Sequence, residues 1–215
     1  VTTRPMGELA TRSLVGTGLI VVAVLALWAG GWAFGLLVAL AAVAMLVEWH
    51  GLTRRRGLHW LAIGIVYIAS SAAALTWLRS LDDGAIVLWV FIVTWATDIL
   101  AYFTGRSFGG PKLAPSISPG KTWSGLIGGV IGASIGGGLV VHLCGLATGL
   151  LLLAPLLAVA AQCGDLFESS LKRRAGVKDS GKLLPGHGGV LDRLDGLLPV
   201  ALLTGLAYFS GWIAV

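Results

Sequence analysis

Apolar residues run in long blocks along almost the whole chain, interrupted by two extended polar stretches and elsewhere by only a few residues. A helix crossing about 30 Å of hydrocarbon at about 1.5 Å per residue needs roughly 20 mainly apolar positions. Blocks at 14–30, 31–48, 58–78, 84–104, 123–143, 146–164 and 192–214 approach or meet that length. The pattern predicts an all-α, polytopic integral membrane protein with about seven transmembrane helices. The first two blocks meet at Gly30-Gly31, between Trp28 and Trp32, which predicts a tight turn at a membrane interface. Residues 1–83 form an N-terminal group of helices, and 84–215 form a second region holding both long polar loops, 105–122 and 165–191.

Composition narrows the class in the same direction. Of 215 residues, 56% are hydrophobic and 12% charged, about half the charge that wets an ordinary soluble domain. The 32 glycines follow no fixed period and the two cysteines are too few for a disulfide scaffold, which excludes collagen-like and cystine-rich chains. The first block lacks a small-residue cleavage site followed by a soluble domain, so it reads as a helix and not a signal peptide. The start at Val1 leaves room for an upstream segment.

The charges test the span count. Short cytoplasmic loops carry an excess of Lys and Arg. With the N-terminus inside, the inner segments hold Arg4, Arg12, Arg54 to Arg56, Arg106, Lys112, Lys121, Lys172 to Arg174, Lys178, Lys182 and Arg193. Only Arg79 of the 15 basic residues falls outside, beside Asp82 and Asp83, so seven spans with N-in and C-out satisfy both signals. The net charge of +5 then describes a one-sided inner surface facing anionic headgroups and an anionic substrate. No basic stripe interleaved with aromatics appears, which argues against nucleic acid.

The first loop reads GRSFGGPKLAPSISPGKTW, with prolines at 111, 115 and 119. Proline fixes φ while glycine frees it, so an ordered non-helical connection is expected, able to aim amides and lysines at phosphate oxygens. Gly120-Lys121-Thr122 is not a nucleotide-binding P-loop, because the required earlier glycine is Pro115 and no strand precedes it. Contact with lipid headgroups is the plainer reading of this loop taken alone.

The second loop is richer in chemistry. If the sixth helix continues past the membrane, Asp165, Glu168, Ser169 and Lys172 share one face by i, i+3, i+4, i+7 spacing. Asp192 and Asp195 share a face at the start of the seventh helix, where either alone could simply complement the helix dipole. Carboxylates from two helices amid many cations and a glycine-rich turn suit a Mg²⁺–phosphate site, since Mg²⁺ takes one or two carboxylates plus waters and phosphates. Zinc is disfavoured, because Cys144 and Cys163 lie apart on or beside apolar helices without a CxxC or HExxH motif. His187 reads as a general acid, a ligand, or a donor to backbone or phosphate. Asp98 interrupts an apolar helix roughly 9 Å above its inner end and is expected to border a polar cavity or to pair with a cation such as Lys121. Glu48, beside Trp49 and His50 at a helix end, reads as interfacial decoration.

The 170–195 segment closely resembles the phosphatidate cytidylyltransferase (CDP-diacylglycerol synthase) family. The matching positions are Ser170, Lys172-Arg173, Lys178-Asp179, Gly181, Leu184-Pro185, His187-Gly188-Gly189, Asp192-Arg193 and Asp195. Asp98, Tyr102, Gly105-Arg106, Phe108-Gly109 and Ser118-Pro119-Gly120-Lys121-Thr122 resemble that family's upstream segment. The resemblance implies reaction of CTP with phosphatidic acid to give CDP-diacylglycerol and pyrophosphate, at the cytoplasmic boundary of the inner (plasma) membrane. It further implies Mg²⁺, with room for K⁺ beside it, and admits a homodimer.

On that resemblance, Asp165 and Asp192 are expected to hold the metal, with Asp195 in reserve. Asp98 and Lys121 join Asp165 and Asp192 as catalytic candidates. Lys121, Lys172, Arg173, Lys178, His187 and Arg193 are expected to bind triphosphate or lipid phosphate, with Ser118, Thr122 and the amides of Gly188 and Gly189 as neutral donors. Two other classes fit less well. A CTP-using relative acting on another lipid, such as a polyprenol kinase or ether-lipid cytidylyltransferase, shares the chemistry. An anion transporter would need the inverted repeat and midplane charges that this chain lacks.

Overall fold

A computed structural model describes residues 6–184, 186 and 188–214, with side chains from Leu14 onward. Arg4, Pro185, His187 and the side chain of Arg12 lie outside the described residues. The elements follow in the order α1 (Met6–Ala29), α2 (Gly31–Thr53), α3 (Leu58–Leu81), α4 (Ala85–Phe108), β1 (Lys112–Ala114), β2 (Ser118–Thr122), α5 (Trp123–Cys144), α6 (Gly149–Ala175), α7 (Leu191–Leu194) and α8 (Leu197–Phe209).

Helices α2 to α6 are each long and apolar enough to cross a membrane. Shorter apolar helical stretches, Leu14–Ala29 and Leu197–Phe209, stand where the first and last spans were expected. The last one is cut short for a covalent reason. Pro199 has no N–H to give the carbonyl of Asp195 four residues earlier, and the helical path divides there into α7 and α8. Asp192 therefore lies in a four-residue helix and Asp195 at its C-terminal end, still in helical conformation (φ −55°, ψ −41°), so the two keep the i, i+3 spacing expected of them.

The α1–α2 junction is the tight turn the sequence anticipates. Gly30 and Gly31 adopt φ of 60° and 49°, a region that side-chain-bearing residues avoid, and Trp28 and Trp32 stand exposed on either side. A side chain at Gly30 would also collide with the guanidinium of Arg79. That guanidinium donates to the carbonyls of Leu27 and Asp82, both at 3.0 Å, tying the α1 end to the α3–α4 turn. Asp82 in turn accepts from the amides of Gly84 (2.8 Å) and Ile86 (2.9 Å), capping α4. Replacing Asp82 by Ala is expected to cost about 1 kcal/mol. At this chain size that is about 2–4 °C in unfolding midpoint, read in detergent, with turnover unaffected.

Helices α4 and α5 form the tightest pair. Gly125, Gly128, Gly129, Gly132 and Gly136 line one face of α5 at three- and four-residue spacing, so the backbones approach closely enough for Cβ atoms to be excluded. This pair fixes where the intervening β hairpin emerges. The hairpin, Lys112–Ala114 against Ser118–Thr122, is antiparallel and closed by Ile117 N–H donating to Ala114 O at 3.2 Å. The first polar loop is thus ordered and non-helical from Gly109 onward, while α4 extends four residues further than expected, to Phe108. Helix α6 likewise runs on to Ala175, which shortens the second loop to residues 176–190.

Candidate active site

The extension of α6 carries a ladder of polar side chains into the region between the hairpin and α7. Gln162, Asp165, Glu168, Ser169 and Lys172 recur at helical spacing, as their separations require. Lys121, from β2, reaches this ladder at its lower rung. Its Nζ lies 2.6 Å from Asp165 Oδ2 and donates to Gln162 Oε1 at 2.8 Å. Ser169 Oγ donates to the other oxygen of Asp165 at 3.2 Å. Lys121 thus pairs with Asp165 and not with Asp98.

Lys172 holds the upper rung. Its Nζ contacts Asp192 Oδ1 at 2.6 Å and Glu168 Oε1 at 3.4 Å. Asp192 Oδ2 accepts the backbone amides of Ser180 at 2.9 Å and Gly189 at 2.7 Å. Burial pushes the Asp192 carboxyl upward, but Lys172 and these two amides outweigh it and hold the group below the usual aspartate value. The amide of Gly189 can point this way because Gly188 takes φ 84°, and a Cβ on Gly188 would crowd the Asp192 carboxylate.

Asp195 accepts the amide of Gly196 at 2.8 Å and lies in electrostatic contact with Asp165 and Glu168. Its backbone is pressed against α6 at Gly164, where a Cβ would strike the Asp195 carbonyl. Asp98 is accessible on α4 and has Asp195, Asp165, Lys121 and Arg193 as electrostatic neighbours, so it borders the same polar region. Among the described residues, no three His, Cys, Asp or Glu side chains converge closely enough to hold a metal ion by themselves.

The remaining expected residues divide. Arg173 donates from Nε to Ile117 O at 3.2 Å, pinning the hairpin to α6. Thr122 is buried, and its hydroxyl is engaged locally, accepting from Gly125 N at 3.1 Å as the cap of α5. Ser118 opens β2 and is half-buried, while Lys178 is exposed on the second loop. Arg193 is exposed beside Asp192 and also borders an apolar cavity between the helices.

Glu48 departs most from the sequence reading. It is buried, not interfacial decoration, and its carboxylate accepts from Ser180 Oγ, Val190 N and Leu191 N. The signal was present: an acid inside an apolar run is expensive wherever it occurs, the argument already made for Asp98. Gln162, a polar side chain in the apolar part of α6, carried the same signal.

Residues 57–210 match the model of the Cytidylyltransferase family. The chain belongs to that family. Among curated relatives, a Brucella abortus protein named phosphatidate cytidylyltransferase is 49% identical over 173 residues, which cover 79% of this chain and 62% of that protein. A Rickettsia bellii protein of the same name is 39% identical over 183 residues, covering 78% of this chain and 77% of that protein. One from Haemophilus influenzae is 45% identical over 131 residues, covering 58% and 46%. The family match takes in both lysine–aspartate pairs, whereas α1, α2 and Glu48 precede it.

Proposed function

We propose that this cytidylyltransferase-family chain transfers the cytidylyl group of CTP to phosphatidic acid, giving CDP-diacylglycerol and pyrophosphate. The observation that carries the reading is the pair of lysine–aspartate contacts, Lys121–Asp165 and Lys172–Asp192, set along one face of α6 beside a glycine-rich turn. Four charges of alternating sign with accessible neighbours suit a polyanionic substrate with its counter-cation. The name shared by the Brucella and Rickettsia relatives supplies the lipid and the nucleotide.

A phosphate oxygen of the lipid, already anionic near neutral pH, attacks the α-phosphorus of CTP. One P–O bond forms as the bond to the departing pyrophosphate breaks in line. No strong general base is required, so positioning and charge neutralisation dominate. Lys121 and Lys172 exchange their carboxylate partners for phosphate oxygens as the triphosphate arrives. Arg173, Lys178 and Arg193 supply further cations at the rim, and the Gly188 and Gly189 amides supply neutral donors.

Asp165 and Asp192 offer hard, anionic oxygens, a donor set that fits Mg²⁺, with Asp195 as a further ligand and K⁺ as a second cation. When bound, the divalent ion neutralises the triphosphate charge. An apolar cavity of about 380 Å³, lined by Leu19, Phe34, Leu75, Trp95 and Leu198 among others and reaching Arg193, supports a substrate with hydrocarbon tails.

The same reading has seven spans, N-in and C-out, with the site at the cytoplasmic face of the inner membrane. It is supported by the gathering of Glu48, Lys121, Asp165, Arg173 and Asp192 at one end of the bundle, and of Arg79 and Asp82 at the other. A homodimer belongs to this reading and is tested by light scattering in detergent. The direct test of function is purified protein with phosphatidic acid, labelled CTP and Mg²⁺, with undecaprenol as the control lipid. Label in CDP-diacylglycerol with stoichiometric pyrophosphate is expected. Label transferred to undecaprenol alone, or no lipid product, would overturn the proposal.

A further inference from the structure

Glu48 sits on α2, outside the family-matched segment and 132 residues before Ser180, the first of its loop partners. It is 8% exposed, and a carboxylate so placed must be compensated by donors. The second polar loop and the first residue of α7 provide all three. Oε1 accepts the Val190 amide at 3.0 Å, while Oε2 accepts the Leu191 amide at 2.8 Å and the Ser180 hydroxyl at 3.0 Å. Gly181 and Gly189 lie directly against the carboxylate, where a Cβ on either would overlap it.

These contacts interlock with those of Asp192. Ser180 gives its hydroxyl to Glu48 and its amide to Asp192, and Gly189, whose amide goes to Asp192, is followed by the two residues whose amides go to Glu48. Two carboxylates from opposite ends of the sequence thus grip both ends of one loop. The grip has a firm base, because Trp49 next door donates from Nε1 to Trp60 O at 2.7 Å and packs against Phe167 of α6 with ring centroids 6.0 Å apart.

We infer that Glu48 is a positioning residue: by fixing Ser180 and the 190–191 turn, it sets the orientation in which Asp192 and the Gly188-Gly189 amides meet the nucleotide and its cation. The inference rests on the proposed function for what the site binds, and on geometry alone for the clamp.

Glu48→Gln and Ser180→Ala test it. Gln fills the same space, but one of its two terminal groups cannot accept from a backbone amide. Hydrogen exchange is read first, without substrate. In Glu48→Gln, peptides covering 178–194 are expected to exchange at least about tenfold faster while α4 and α5 keep their protection. In the CTP and phosphatidic acid assay, the Mg²⁺ concentration for half-maximal rate is expected to rise about tenfold, the low end for residues supporting a metal ligand, with KM for phosphatidic acid unchanged. Ser180→Ala, which removes one donor of three, is expected to move both readouts the same way but less, about threefold.

Unchanged exchange in the loop, or a uniform loss of protection with unaltered Mg²⁺ dependence, would overturn the inference and leave Glu48 a role in folding only. Should Glu48→Gln fail to fold, Ser180→Ala decides by the same criteria. A wild-type protein that clamps the loop but makes no CDP-diacylglycerol would sink the proposed function, while the exchange result still decides the clamp.

Discussion

Asp165→Asn and Asp192→Asn are each expected to lower CDP-diacylglycerol formation by about a thousandfold or more, with the protein still folded. Asn preserves shape and one acceptor while removing the charge, so the two substitutions separate electrostatics from architecture. At position 165 the lost partner is Lys121 in a contact whose carboxylate is 32% exposed, a pair worth about 1 kcal/mol or less to stability. At position 192 the Asn oxygen can still accept the Ser180 and Gly189 amides. Lys172, with its side chain 12% exposed, loses its closest counter-ion but keeps Glu168, a cost of about 1–3 kcal/mol. Neither loss of stability accounts for the expected loss of turnover, which instead reflects interactions made with the triphosphate as charge redistributes. The pair of measurements is kcat/KM and unfolding midpoint in the same detergent. Near-wild-type turnover by either variant would remove that carboxylate from the chemistry.

Gly132→Leu is expected to prevent accumulation of folded, monodisperse protein. A Cβ at Gly132 would stand 2.7 Å from the Ala96 carbonyl oxygen and 2.8 Å from Leu100 Cβ, so even the first added carbon meets backbone that cannot turn aside. Overpacking in a well-packed interior costs about 1–3 kcal/mol where neighbours can adjust, and more where they cannot. The α4–α5 pair also sets the exit of the hairpin that delivers Lys121, so any folded residue of the variant should be poorly active. Gly138 provides the control on the same helix. A Cβ there meets only Leu151 Cδ2, at an ordinary 3.6 Å, and Gly138→Ala is expected to match or slightly exceed wild-type stability. Size-exclusion profiles of the two variants make the comparison. Normal elution of Gly132→Leu would mean that close backbone approach does not organise this pair.

Much of the site was legible because its residues obey local periodicities. The Asp165, Glu168, Ser169 and Lys172 face follows from helical spacing once α6 is allowed past the apolar block, and the Gly30-Gly31 turn follows from residues that alone tolerate its backbone. The partners of that face were not legible. Nothing in sequence spacing tells whether Lys121 reaches Asp165 or Asp98, since both are acids at the same end of the bundle and the choice depends on how the hairpin folds over α6. Thr122 is expected as a donor beside Lys121, and a threonine just before a helix also satisfies its orphan amides: its oxygen caps α5, a local use that spacing alone does not separate from the other. The break before α8 was readable from Pro199 and was masked by the apolar run around it. Glu48 was underestimated because its three partners lie more than 130 residues away, a separation that periodicity cannot bridge.

The most direct test is an experimental structure of the protein with CTP and Mg²⁺. The account predicts a divalent ion held by both Asp165 and Asp192 beside the triphosphate, with Lys121 and Lys172 turned onto phosphate. A nucleotide bound elsewhere, or an ion held without either carboxylate while both lysine–aspartate pairs persist, would contradict it.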